Sequence, residues 1–371
     1  MAEYTAEDFL KLTLRDGVRL RPQMYFGSID SVGIHAALTS LIETSVDEYR
    51  ASQSTCIQIT QTRDGWTVVS DDGRGVRVDS PPEFNCRSFL EVALTEQWVD
   101  GFGVVKHHSC YHMLYAVPAS GAEFHVETHR DGRCYRIGFT EGLITHPFTD
   151  NGPSDRRGTT MRWKPDPAIF QAHTVDTELL KQHLEINAAV YRGLRIRFCD
   201  ENTGKSATFL YSNGCSDLLR TKNIDQPVAY PVISIQMECD DVKFDLAFQH
   251  ITNAPTRIQS YVNAGITENG SHVKGFLSGL AASIREMGSI TWNENVAEVD
   301  SKSVMAGLTA ELSIIAENAF YESPTRSVLH NPEIGVIIAK QVYARLMALS
   351  ANDPSLRAAL LGAVAGSGAD E

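Results

Sequence analysis

The sequence predicts two successive α+β domains. Three observations carry this. The 371-residue length exceeds one ordinary domain. The first half runs helix, hairpins, helix and strand pair. A second series of strands and helices then restarts after about Asn213. Hydrophobic residues make up 43% of the chain and charged residues 21%, enough apolar material for a core without disulfide staples.

From Val32 to Arg50, apolar residues recur at Ile34, Leu38, Leu41, Ile42, Val46 and Tyr49, the spacing of one buried helix face. Two hairpins follow from β-rich runs around Arg63-Asp64-Gly65 and Arg130-Asp131-Gly132, because Asp-Gly suits a tight reversing turn. A short helix is expected from Phe89 to Glu96, and an amphipathic one from Thr177 to Tyr191. A strand pair within 196–211 closes the first half. Its Asn202-Thr203-Gly204-Lys205-Ser206 resembles the end of a phosphate loop, but Cys199 stands where that loop needs glycine, so a polar turn is expected. In the second half, strands are expected at 230–239, 243–250 and 304–316. Helices are expected at 270–287, 334–350 and 355–364.

Net charge is −13, with only short basic clusters at Arg19/Arg21 and Arg156/Arg157, which argues against nucleic acid as the main partner. Seven cysteines without a CxxC pair read as reduced thiols in a cytoplasmic protein. The acidic start MAEYTAEDF lacks a signal peptide's apolar segment, and no membrane span is expected.

Several segments carry a family resemblance. Arg19-Leu20-Arg21-Pro22-Gln23-Met24-Tyr25-Phe26-Gly27-Ser28 resembles the opening segment of gyrase B and topoisomerase IV B subunits. Val46-Asp47-Glu48, Ser70-Asp71-Asp72-Gly73-Arg74-Gly75-Val76 and Gly158-Thr159-Thr160-Met161-Arg162 resemble the helix, turn and strand of their ATP pocket. Tyr261-Val262-Asn263 and Gly270–Phe276 resemble their transducer domain, and Pro324-Thr325-Arg326 falls at their phosphate-reaching lysine loop. The resemblance implies a GHKL (Bergerat-type) α/β sandwich over 1–215, then a transducer-like domain of ribosomal S5 type over 216–371. It also implies a homodimer whose N-terminal arm, with Tyr4, crosses to the partner.

The departures from that family fall on its hydrolytic parts. Ser40 and Thr44 stand where the family has a water-activating glutamate and a magnesium-holding asparagine. Neither hydroxyl is a useful base near neutral pH, and loss of a placed base typically costs about 10²–10⁴ in rate. The glycine-rich lid is replaced by Lys106-His107-His108-Ser109-Cys110-Tyr111-His112-Met113, whose side chains hinder a backbone cradle for phosphates.

What survives is the base-binding floor: Asp71, Arg74 and Thr159. The pattern also resembles bacterial β-carboline-forming Pictet–Spengler enzymes of the marinacarboline type. That resemblance implies condensation of L-tryptophan, or a derivative, with an aldehyde, and no cofactor. Glu96 would be the general acid/base. Asp71 would orient the amine or indole N–H, Arg74 would hold the carboxylate, and Thr159, His107 and His108 would line the pocket. The group's pocket histidine has no counterpart between Arg74 and His107. His108, Cys110 and His112 do not share one helix face, so no metal site is expected from them. Two other readings stand beside this one. One is a non-catalytic gyrase-B-like pseudo-ATPase acting in binding or resistance. The other is a divergent gyrase-B-like ATPase.

Overall fold

The computed structural model describes residues 12–80, 82–85, 87–96, 114–172, 174–239, 242–292, 299, 302, 304–316, 318–323 and 326–365. The chain divides into two compact units, residues 1–185 with 194–210, and residues 186–193 with 211–371.

The first unit is an eight-stranded sheet with helices on one face. Its strands are β1 (Cys56–Gln61), β2 (Thr67–Asp71), β3 (Gly121–Arg130), β4 (Arg133–Thr140), β5 (Leu143–Pro153), β6 (Gly158–Pro165), β7 (Arg195–Asp200) and β8 (Lys205–Phe209). Their order is β5-β4-β3-β6-β2-β1-β7-β8. Only β1 and β7 pair in parallel; the other pairings are antiparallel hairpins or returns. Two short helices, α1 (Leu14–Leu20) and α2 (Gln23–Phe26), precede α3 (Ser31–Arg50), which packs on β1, β2 and β6. Asp30 caps α3 by accepting from the Val32 N–H, satisfying one of the open donors of the first turn. Ile34, Leu38, Leu41, Ile42 and Val46 bury the face that the periodicity predicts. Phe124, Phe139, Trp163, Phe170 and Phe198 complete the core. Ser88 caps α4 (Phe89–Thr95) by accepting from the Glu91 N–H. Helix α5 (Val117–Ser120) leads into β3, and α6 (Thr177–Val190) leads towards β7. The polar turn expected at 202–206 is a hairpin turn over residues 201–204, with Lys205 and Ser206 already in β8.

Strand β5 is absent from the sequence-based expectations. It lies at the sheet edge, nearly every residue is at least partly exposed, and it contains Pro147 and Pro153. With no buried face there is no alternation to read.

The second unit opens with α7 (Cys215–Lys222) and a five-stranded sheet of β9 (Ile233–Cys239), β10 (Val242–His250), β11 (Arg257–Val262), β12 (Gly265–Thr267) and β14 (Leu308–Ala316). The order is β12-β11-β14-β10-β9. Central β14 is buried along its length, so it reads as a continuous apolar run. Its one carboxylate, Glu311, is fully buried and meets Lys222, Arg257 and the Tyr261 hydroxyl at 2.7–2.9 Å. A short parallel pair, β13 (Asn269–Gly270) and β15 (Val328–Leu329), precedes the helices in space.

Helices α8 (Ser271–Trp292), α9 (Pro332–Asn352) and α10 (Pro354–Ala365) cover the sheet. Helix α9 is long and apolar enough to cross a membrane by composition. Ile334, Ile338, Val342 and Leu346 nevertheless bury one side of it in the core of this unit. Backbones of α8 and α9 approach very closely. A Cβ on Gly275 would lie 2.2 Å from the Gly335 carbonyl oxygen, and one on Gly279 would lie 2.5 Å from that of Ala339. Gly275→Ala therefore forces the pair apart. Thermal or denaturant unfolding is expected to show a loss of about 1–3 kcal/mol, the usual cost of overpacking.

Candidate functional site

Strand alternation sets the site. Val69 and Asp71 of β2 point to the same face, and Val69 is in the core. Asp71 therefore carries its carboxylate under α3. There it accepts from the Ser45 hydroxyl at 2.9 Å, the Gly73 N–H at 2.9 Å and the Thr159 N–H at 3.3 Å. Burial pushes Asp71 up to about 6, against the pull of those three donors.

Its neighbour Asp72 points the other way. Burial works against its charge, but the Thr55 hydroxyl, the Thr55 and Cys56 N–H groups and the Ser54 hydroxyl outweigh it and hold the carboxyl at about 2. Asp72 thus pins the turn to the start of β1. Gly158 faces Asp71 so closely that a Cβ would lie 2.0 Å from the Asp71 carbonyl oxygen, at a φ of +97° that also favours glycine. The Gly-Thr step of β6 is what lets the Thr159 N–H reach the carboxylate.

Thr159 is buried. Its hydroxyl accepts from the Val76 N–H at 3.0 Å and lies 3.2 Å from the Thr128 hydroxyl. It anchors the turn after Asp71 rather than projecting a free hydroxyl. Arg74 is likewise engaged. Its Nε donates to Glu48 at 3.2 Å, and its backbone N–H donates to the other Glu48 oxygen at 3.0 Å. Glu48 is 13% exposed and Arg74 50%, so the guanidinium sits at the rim with one edge occupied. This narrows the expectation that Arg74 offers a whole fork to a carboxylate.

Ser40 and Thr44 are buried on α3. Each hydroxyl donates to the carbonyl four residues back, Ser40 to Ala36 at 3.4 Å and Thr44 to Ser40 at 2.9 Å. Both hydroxyls are thus turned into the helix.

Three residues of the site carry no role in the sequence-based expectations. Ser45 had a signal: a polar residue on the apolar side of α3 needs a buried partner. Glu48 lies within a family-like motif, without a role. Arg157 donates to the Gly73 and Gln53 carbonyls and ties β6 to the turn, a long-range contact with no local signature.

Glu96 does not join these contacts. Glu96 follows the last turn of α4, is 52% exposed, and pairs with Arg87. The expected acid beside a dry apolar slot is instead a solvated ion pair. His107, His108, the 106–113 segment, Tyr4 and Pro324-Thr325 lie outside the described residues. Arg326 belongs to the second unit, where its guanidinium lies 5.9 Å from the Tyr321 ring centre.

A family model described as DNA gyrase B matches residues 214–367. The type 2 topoisomerase B subunit of Aquifex aeolicus is 31% identical over 92% of this chain and 44% of its own length. The DNA gyrase B subunit of Thermotoga maritima is 31% identical over 96% of this chain and 58% of its own. The chain thus spans about half the length of these relatives. Among solved structures, the 43K ATPase domain of Thermus thermophilus gyrase B in complex with an aminocoumarin superposes with a TM-score of 0.83. It is 26% identical and covers 96% of this chain and 95% of that one. The GHKL fold and the gyrase B/topoisomerase B-type ATPase-domain architecture are therefore those of this chain.

These findings overturn the Pictet–Spengler expectation, and with it the tryptophan and aldehyde substrates and the acid/base role of Glu96. Relatives matching over nearly the whole chain are gyrase and type 2 topoisomerase B subunits. The physical reason agrees, since Glu96 is exposed and salt-bridged.

Asp71 supplies a pH test. Its folded value lies above its unfolded one of about 3.8, so the folded state holds the extra proton between these values and stability falls as pH rises through about 4 to 6. The shift corresponds to about 3 kcal/mol. Asp71→Asn carries no such charge. Urea unfolding should show its stability relative to wild type improving by up to about 3 kcal/mol between pH 4 and pH 7.

Proposed function

For a chain of gyrase B-type ATPase-domain architecture, we propose that the first unit is a nucleotide pocket that holds an adenine-like base and hydrolyses ATP slowly or not at all. The carrying observation is the contrast within α3. Ser45, one turn from Ser40 and beside Thr44, still supports the Asp71 carboxylate, whereas the hydroxyls of Ser40 and Thr44 are bonded to their own helix.

The buried Asp71 carboxylate is an acceptor suited to an exocyclic amino group, the edge by which an adenine is told from other bases. Thr159 and Arg157 hold the turn that shapes the floor, and Arg74 with Glu48 forms its rim. Water activation needs a base within hydrogen-bond reach of the attacking water. Neither Ser40 nor Thr44 supplies one. This favours the pseudo-ATPase reading over a fully active ATPase. The parse into a pocket domain over 1–215 and a transducer-like domain over 216–371, homodimerisation and a cytoplasmic setting belong to the same proposal. The bulk charge of −13 does not exclude a DNA partner in a larger assembly.

The test is titration with a fluorescent ATP analogue and with an aminocoumarin, followed by single-turnover hydrolysis. Wild-type protein is expected to bind at least one of them. Asp71→Asn should weaken binding about 10–100-fold, the worth of a hydrogen bond to a charged group. Hydrolysis should run about 10²–10⁴ below that of a gyrase B protein assayed alongside, and Ser40→Glu should recover part of it. Gyrase-level turnover by wild type would refute the slow-hydrolysis reading. Unaltered affinity in Asp71→Asn would refute the pocket assignment.

A further inference from the structure

The sheet of the second unit ends at β9, and two helices flank that edge. Neighbouring side chains on β10 point to opposite sides, so α7 packs on the face of Ala247 and α9 on the face of Leu246 and Phe248. Between them lies a cavity of about 560 Å³. Ser216 and Arg220 of α7, Ser234 and Gln236 of β9, and Gln341 and Arg345 of α9 line it. A spacing of four on each helix and two on the strand puts both members of a pair on one side.

The open polar groups here are mainly donors. Arg345 has no hydrogen-bond or ion-pair partner among the described residues. Ser216 is 2% exposed and lines the cavity, and its hydroxyl has no partner among them either. Buried hydroxyls are ordinarily bonded, so this one is short of a ligand. The nearby acceptors are already engaged. The Gln236 side-chain carbonyl accepts from Arg192, and its amide donates to Asp245 at 3.2 Å. Asp217 accepts from the Asn213 backbone N–H at 2.8 Å, from the Asn213 amide at 3.1 Å and from one Arg220 nitrogen at 3.2 Å. That last pair is solvated, with Arg220 55% exposed, and it leaves the other Arg220 nitrogens open.

We propose that this cavity is a binding site for a small phosphate ester with a hydroxyl-bearing body, of the sugar phosphate class, held within the second unit and separate from the nucleotide pocket. Two guanidiniums match the two charges of a phosphate monoester, and each fork fits a pair of its oxygens. A lone carboxylate calls for only one such fork. Ser216 adds a further donor. The volume falls in the range of small-molecule sites. Beyond the phosphate, Ser234, Gln236 and Gln341 form walls suited to hydroxyls. Ile235 is the one apolar side chain among the described lining residues, so the cavity offers no stacking surface for a base.

The test is calorimetric titration of the full chain at low salt with glucose 6-phosphate, inorganic phosphate, glucose and a short DNA duplex. Glucose 6-phosphate should bind at one equivalent, inorganic phosphate more weakly, and glucose not measurably. Arg345→Ala should weaken glucose 6-phosphate about 10–100-fold, and Arg345→Lys should restore only part of this, because an ammonium lacks the fork. Ser216→Ala should weaken it about two- to tenfold. Both positions lie in the second unit, so a phosphate held in the nucleotide pocket would bind these variants as it binds wild type. Arg345 is exposed, and an unchanged unfolding midpoint in Arg345→Lys separates a lost contact from a lost fold. The proposal is overturned if glucose 6-phosphate does not bind, or if Arg345→Ala and Ser216→Ala bind it as wild type does. Equal affinity for inorganic phosphate would overturn the hydroxyl-bearing body. Tighter binding of the duplex with the same dependence on Arg345 would make the surface a track for a polymer's phosphates and overturn the small ligand.

Discussion

The first unit depends on one buried carboxylate. Asp71 is placed under α3 by strand alternation, and it remains there because three separate elements each contribute a donor. Ser45 comes from α3, the Gly73 N–H from the turn after β2, and the Thr159 N–H from β6. An unpaired buried charge would be prohibitive, so helix, turn and strand must be in register before the acid can be accommodated. The residual cost appears in its raised proton affinity. That is also what makes the acid useful, since a carboxylate short of partners readily accepts one more donor from a ligand.

Neighbouring residues serve that geometry. Asp72 ties the same turn outward to β1, Arg157 ties it to β6, and Glu48 fixes Arg74 at the rim. Two glycines, Gly73 and Gly158, allow the backbone to come this close. The floor is therefore held by donors from three elements, while the hydroxyls of Ser40 and Thr44 on α3 are closed back on their own helix. A site with a maintained floor and hydroxyls, not a base, at Ser40 and Thr44 is the ground of the proposal that this chain holds a ligand more readily than it consumes one. The second unit follows a different constraint, in which Gly275 and Gly335 let two apolar helices touch along their backbones over a sheet whose fully buried acid on β14, Glu311, is neutralised by Lys222 and Arg257.

Elements with one buried face were legible. Helix α3 and central strand β14 announce themselves by period or by continuous apolar character, and the Asp-Gly turns mark their hairpins. Elements without such a face were not, as edge strand β5 shows. At the site, motif spacing marked Asp71, Arg74 and Thr159, but not how far each was already committed to a neighbour. The misreading of Glu96 has the same origin. A helix aimed towards the pocket says nothing about the rotamer of the residue that ends it, and Arg87, nine positions earlier, takes that carboxylate.

The sequence by itself determined the class of fold, the order of the elements and the chemical types present at the pocket floor, because these follow from local periodicity, turn chemistry and motif spacing. Only the tertiary structure decided the partners. Ser45 beneath Asp71 and Glu48 on Arg74 are contacts between positions that chain separation leaves unrelated and that sheet register or helix packing brings within hydrogen-bond reach. Hydrogen bonding and desolvation act over a few ångströms of space, not along the chain, so the state of each charged group is set only once the fold has closed around it.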